Sequence, residues 1–290
     1  MSLQDWLPAY QKQVNDAIEQ FFSTRYGVSV WIENTFESAL RYAVEWGGKR
    51  LRPILGILAY EYISKHAISE NEVSVLIGIE FIHCFTLVHD DLPCMDNDEY
   101  RRGKLTVWKE YWEAMAVLVW DTLQSIGFEL LARSGKSEII TEIARAIGDL
   151  GVARGQVRDT FLANHPLSLD ELMRLHDEKT GGFIASSLVV GGLLADAWAE
   201  KITLLRKFGF LLGRAFQIRD DILDYEWDPS ILGKMVGKDL EAGKGIIVCI
   251  GIDESKKILQ NLETEMKEIV AWWGDERFLD VIEYVVRRDR

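Results

Sequence analysis

The chain has 290 residues, 48% of them hydrophobic, and a formal net charge of −13. That length holds one large domain or two ordinary ones, and the apolar share supports a sizeable core. The acidic balance, with no basic stripe and no aromatic RNA-binding motif, argues against a nucleic-acid partner and otherwise serves solubility.

Proline is scarce at 5 residues, and strings of helix formers run between short breaks, so an all-α protein is expected. Three- and four-residue apolar spacing predicts helices over 9–22 and 31–46. Pro53 opens another, PILGILAYEYISKH. The segment from Glu72 to Asp91 is apolar on nearly every face and should be central, ending at Pro93. Further helices are expected at 107–132, 138–162, 169–194, 199–227, 254–273 and 275–288. No Gly-, Ser- or Pro-rich linker divides the chain, so residues 1–290 read as one helical domain. Cys84, Cys94 and Cys249 form no CxxC pair, which argues against a disulfide framework or structural zinc. The N-terminus lacks a signal-peptide pattern, and no uncharged apolar stretch reaches the ~18–20 residues of a membrane span, so a cytoplasmic protein is expected.

The stretch HDDLPCMDNDE puts Asp90 and Asp91 at the C-terminal end of a helix, where the macrodipole favours cations. A solvated loop would explain one such cluster. A second one, RDDILD, repeats the plan of apolar helix, Asp pair and further Asp; Asp220, Asp221 and Asp224 share a helix face at i,i+3 and i,i+4. Clustered oxygen ligands suit Mg²⁺, which takes one or two carboxylates, waters and phosphate oxygens. Lys49, Arg50 and Arg52 in GGKRLRP, Arg101-Arg102, Lys179, and Lys234, Lys238 and Lys244 border the acidic clusters. Each alone is an ordinary surface residue; together they read as sites for a second phosphate.

The chain resembles the trans-isoprenyl diphosphate synthases of the farnesyl/geranylgeranyl type, with the longer DDxxxxD form of the first motif that resembles bacterial and plant-type enzymes. The matching stretches are GGKRLRP (47–53), EFIHCFTLVHDDLPCMDNDEYRRG (80–103), GQVRD (155–159), KTG (179–181), FQIRDDILD (216–224) and LGKMVGKDLEAGK (232–244). The resemblance implies a helical bundle around a central cavity, the isoprenoid synthase fold, and a homodimer. It implies Mg²⁺, three ions, with Mn²⁺ as the alternative, on Asp90, Asp96 and Asp220, supported by Asp91, Asp221 and Asp224. It implies an isopentenyl diphosphate pocket from Lys49, Arg52, His83 and Arg102, with Arg287 or Arg288 of the basic tail closing over it. Arg101, Lys179 and Lys234 would hold the allylic diphosphate, dimethylallyl or geranyl, with Lys244 nearby. Thr180 and Gln217 would line the reacting centre. Phe85, five residues before Asp90 and about 7.5 Å along the axis, would form the floor of the chain-length pocket with Thr86. A bulky floor implies a short product, C15 farnesyl diphosphate, with geranyl and geranylgeranyl diphosphate as alternatives. The rival for Phe85 is an ordinary core aromatic, and for His83 a hydrogen-bonded core histidine.

Three positions depart from the family pattern: Trp120 where a small residue is usual, Arg219 where a neutral one is, and Gly245-Ile246 after Lys244. A di-iron carboxylate bundle needs two Glu-x-x-His motifs, and only Glu80–His83 is present. A catalytically silent partner subunit is the non-enzymatic alternative, and the two intact Asp motifs speak against it.

Overall fold

The computed structural model describes residues 3–26, 31–45, 48–161, 167–226 and 245–288, with side chains of the second segment from residue 35. The helices are α1 Leu3–Arg25, α2 Trp31–Glu45, α3 Leu51–Ser64, α4 Glu70–Asp90, α5 Val107–Tyr111, α6 Glu113–Ala132, α7 Ser137–Ile147, α8 Val152–Phe161 and α9 Leu169–His176. They continue with α10 Gly182–Leu194, α11 Ala199–Glu226, α12 Ile246–Ile250, α13 Ile252–Ala271 and α14 Arg277–Val286. The all-α expectation holds; among the described residues the one sheet is a hairpin of Tyr100–Arg101 and Lys104–Leu105.

α4 is central, as its all-round apolarity requires: Leu76, Ile79, Phe81 and Ile82 are fully buried. It lies against α6 at closest approach between two glycines, where a Cβ on Gly78 would meet the Gly127 carbonyl oxygen at 2.7 Å. α10 is equally buried, from Phe183 to Val190, between α3 and α11. Buried side chains from α1 through α14 form one core. α4 and α6 are long and apolar enough to cross a membrane by length and composition, but α4 is wrapped by α1, α3 and α6. An apolar helix inside a bundle gives the same hydropathy as a membrane span.

The expected boundaries held to within one residue for α2 and α11 and shifted elsewhere. α1 begins at Leu3, before Pro8. The expected helix over 107–132 is broken at Trp112, whose φ of 61° leaves the helical region. That over 138–162 stops at Gly148, and α8 restarts only at Val152. The one over 169–194 is interrupted by a π-helical turn, Asp177–Gly181. The hairpin turns on Arg102 and Gly103, both at positive φ, the twist that suits a two-residue loop.

Candidate active site

α4 ends at Asp90, and the following turn folds back on it. The Asp96 amide donates to the Asp90 carbonyl at 2.9 Å, while the Met95 and Asn97 amides donate to the Leu92 carbonyl. The longer spacing thus forms a closed loop that returns Asp96 to Asp90. Asp91 points inward: it is 1% exposed, and Arg101 Nε donates to its Oδ1 at 2.7 Å. Burial pushes the Asp91 carboxyl up to about 6 against the pull of Arg101, and its Oδ2 is buried with no partner. Glu99 pairs with Lys109 and Asp98 with Arg101, so these two charges are not simply solvated.

The π turn displaces Lys179 and Thr180 from the regular helical course, a device common at functional sites. Arg214 clamps the turn through two bonds to Asp177, at 2.7 and 2.6 Å. Lys179 pairs with Asp159. Burial works against its ammonium, but Asp159, Asp90 and Asp96 outweigh it and hold the pKa above the ordinary value. Burial also raises Asp96, with Lys179 pulling back and Asp90 and Asp159 adding to the rise. The Thr180 hydroxyl donates to Gln217 Oε1 at 2.9 Å on α11. Lys179, Asp159, Gln217, Asp221 and Gly245 line one small cavity of about 120 Å³.

On α11, burial pushes Asp220 up to about 6; Arg288 pulls it down, Asp224 adds to the rise and Lys49 opposes it. Arg288 of the tail pairs with the Asp220 carboxylate, donates to the Phe216 carbonyl at 3.0 Å and lies 3.9 Å from the Phe216 ring centroid. Arg287 turns away to Glu283. Asp221 Oδ2 accepts from the Ile246 amide at 2.7 Å, so Gly245-Ile246 ties the returning chain to the second motif. Arg219 reaches the Arg288 carbonyl rather than an Asp.

A cationic group forms beside this. Gly48 sits at φ 131°, a backbone that favours glycine, and a Cβ there would lie 2.3 Å from Arg102 Nη1 and push that guanidinium aside. Burial lowers Lys49, with Arg288 adding and Asp220 opposing. Arg52 Nη1 donates to His83 Nε2 at 3.2 Å. Burial brings Arg52 down to about 10, still charged at neutral pH, and holds His83 well below its usual value, where Arg52 and Arg102 add to the shift. Because Nε2 accepts, the His83 proton is on Nδ1, which is buried without a partner. Arg50 belongs elsewhere: it forms a buried pair with Glu80 at 2.8 Å. Glu80 and His83 therefore have separate cationic partners, and the di-iron reading has no cluster to stand on. Lys234, Lys238 and Lys244 lie outside the described residues.

A mostly apolar cavity of about 410 Å³ runs from Asp90 past Phe85, Thr86 and Trp120 to Phe128. Thr86 turns its hydroxyl back to the His83 carbonyl. Gln156, within GQVRD, lines the same cavity with both amide atoms buried and unpartnered. Its place in the motif was visible in the sequence; its orphaned amide was not, because that depends on packing.

Among the described residues no set of three His, Cys, Asp or Glu side chains converges as a metal cage. The candidate donors are carboxylates divided between two elements, a set that fits a hard divalent ion completing its shell with water and phosphate oxygens.

Residues 33–271 match the polyprenyl synthetase family model. The chain is 34% identical to the farnesyl diphosphate synthase of Micrococcus luteus, over 89% of this chain and 91% of that one. It is 35% identical to the chloroplastic geranylgeranyl pyrophosphate synthase of Capsicum annuum, over 88% and 72%. The FPP/GFPP synthase of Zymomonas mobilis superposes with a TM-score of 0.81 at 31% identity, covering 97% and 98%. A Helicobacter pylori geranyltransferase, complexed with magnesium and isoprenyl diphosphate, superposes with a TM-score of 0.75 at 28% identity, covering 95% and 93%.

Proposed function

The chain belongs to the polyprenyl synthetase family, and on that premise we propose that this site makes C15 farnesyl diphosphate by adding isopentenyl diphosphate to an allylic diphosphate. The enzyme is a trans-prenyl diphosphate synthase of the farnesyl/geranylgeranyl type. The supporting observation is the position of Lys179: Asp90 and Asp96 act on its charge, and the same side chain lines a cavity with Gln217 and Asp221 of the second motif.

Asp90, Asp96 and Asp220 would hold magnesium, three ions by our reading, with Asp91, Asp221 and Asp224 in support; Mn²⁺ is the substitute. Ions held there would supply positive charge to the diphosphate and to the departing pyrophosphate. Lys179 and Arg101, with Lys234 and Lys244, orient the allylic diphosphate, dimethylallyl or geranyl. The allylic C–O bond breaks, and the isopentenyl double bond attacks the carbon it leaves. Lys49, Arg52 and Arg102 hold the isopentenyl headgroup as point charges and forks. Neutral His83 offers its Nδ1 proton as a donor. The proton lost after condensation goes to the pyrophosphate. Thr180 and Gln217 border the reacting centre, and the apolar cavity keeps water from the cation. Phe85 and Thr86 form the floor.

We read residues 1–290 as one domain, a reading supported by the packing of α1 and α14 on the same core. A homodimer would cover the exposed Trp112 and Leu118, and the enzyme would work in the cytoplasm. Asn in place of Asp90, Asp96 or Asp220 should cut incorporation of labelled isopentenyl diphosphate at least about 100-fold and raise the Mg²⁺ requirement. Asp98→Asn should leave both near wild type. Equal rates in all four variants would refute the ligand assignment.

A further inference from the structure

Phe85 does not stand alone. Its ring stacks on Trp120 of α6, with centroids 6.3 Å apart and planes 13° from parallel. Trp120 also meets the His89 ring edge-on at 4.6 Å. His89 precedes Asp90, so one indole covers the full turn of α4 between the first motif and Phe85.

α4 and α6 run antiparallel, since Phe85 faces Trp120 while Gly78, earlier on α4, faces Gly127, later on α6. The direction from Asp90 toward Phe85 is therefore the direction from Trp120 toward Phe128. Eight residues separate the latter two, about 12 Å of helix. The cavity spans that whole length. Its other wall is formed by Ala144, Ile147, Gly148, Val152, Ala153 and Gln156, with no aromatic ring among them. The bulk on the α4–α6 side of the cavity is thus the Phe85–Trp120 stack, and the same cavity reaches Phe128.

We propose that Trp120 is a product-length determinant, a second ring that stops the growing hydrocarbon chain together with Phe85. The inference rests on the reading of the cavity as the elongation pocket. An allylic tail lengthening from the Asp90 end meets the stacked pair as a unit. Removing either ring leaves the other held only on one side, free to tilt into the space vacated. Removing both widens the cavity along its whole length between Asp90 and Phe128.

The test is chromatography of dephosphorylated products from geranyl diphosphate, labelled isopentenyl diphosphate and Mg²⁺. Wild type, Trp120→Ala, Phe85→Ala and the double variant are compared. Each single variant should shift part of the product from C15 to C20. The double variant should give mostly C20 and longer, a larger shift than the two singles combined. A wild-type distribution from Trp120→Ala, beside a lengthened one from Phe85→Ala, would overturn the role of Trp120 and leave the floor standing. No lengthening in any variant would overturn the floor as well. No incorporation by wild type would instead contradict the proposed activity. Should the alanine variant not fold, Trp120→Leu keeps the position apolar, and unchanged C15 from it likewise overturns the inference.

Discussion

Arg219 donates two hydrogen bonds, at 3.1 and 2.9 Å, to the backbone carbonyl of Arg288, which in turn sets its guanidinium on Asp220. A departure within the second motif thus fixes the end of the chain rather than an Asp. Charged hydrogen bonds of this kind contribute about 1.5–3 kcal/mol. Arg219→Gln should therefore open the tail roughly 10- to 100-fold more often, read as faster amide exchange at residues 286–288. Arg288→Ala should tighten Mg²⁺ in calorimetric titrations with pyrophosphate about two- to fivefold, the worth of a partly exposed pair. Unchanged exchange or weaker Mg²⁺ binding would contradict this arrangement.

Gly48 lies under the Arg102 guanidinium. Gly48→Ala should displace Arg102 and raise the KM for isopentenyl diphosphate about 10-fold or more, the cost of one charged hydrogen bond. The KM for geranyl diphosphate should stay within about twofold, as steady-state kinetics would measure. Equal rises in both would place Arg102 on a shared task.

Arg50 and Glu80 form a buried pair with side chains 4% and 3% exposed. Glu80→Ala leaves a buried guanidinium with one fewer partner and should cost about 3–5 kcal/mol. An apolar pair, Arg50→Met with Glu80→Leu, should recover most of that loss in urea denaturation. A loss below about 1 kcal/mol for Glu80→Ala would show the pair to be hydrated.

His176 is buried beside Arg214, Asp159 and Lys179; burial lowers its pKa to about 4, Arg214 and Lys179 add to the drop and Asp159 opposes it. The unfolded chain takes up this proton near the ordinary 6.5, the folded chain only near 4. Between these values the unfolded state holds more protons, so stability is complete above 6.5 and is lost as pH falls toward 4. The contribution is on the order of 3 kcal/mol. The difference in melting temperature between wild type and His176→Asn should shrink across that window. A constant difference would mean that His176 protonates in the folded protein.

Much of this was legible because it is local. The apolar periodicity of α4 and the i,i+4 spacing of Asp220 and Asp224 need no tertiary information. The supporting role of Asp91 came from the family resemblance; the structure pairs its carboxylate with Arg101. What the chain order hid depends on contacts between distant segments. Arg50 looks like Lys49 and Arg52 in sequence, yet it is buried on Glu80, and only packing separates them. The π turn at Lys179 carries no composition signal, because its residues are ordinary helix formers around a Gly pair. Trp112 breaks a helix with neither Gly nor Pro to announce it. Trp120 could be read as core or as cavity wall until Phe85 and His89 were seen against it.

The central claim is that the two Asp motifs and the cationic pocket elongate an allylic diphosphate. Its most direct test is product chromatography after incubating the purified protein with geranyl diphosphate, labelled isopentenyl diphosphate and Mg²⁺. The account predicts a labelled C15 diphosphate that disappears with chelator and in Asp90→Asn. No labelled prenyl product with Mg²⁺ present, or an equal yield from Asp90→Asn, would contradict it.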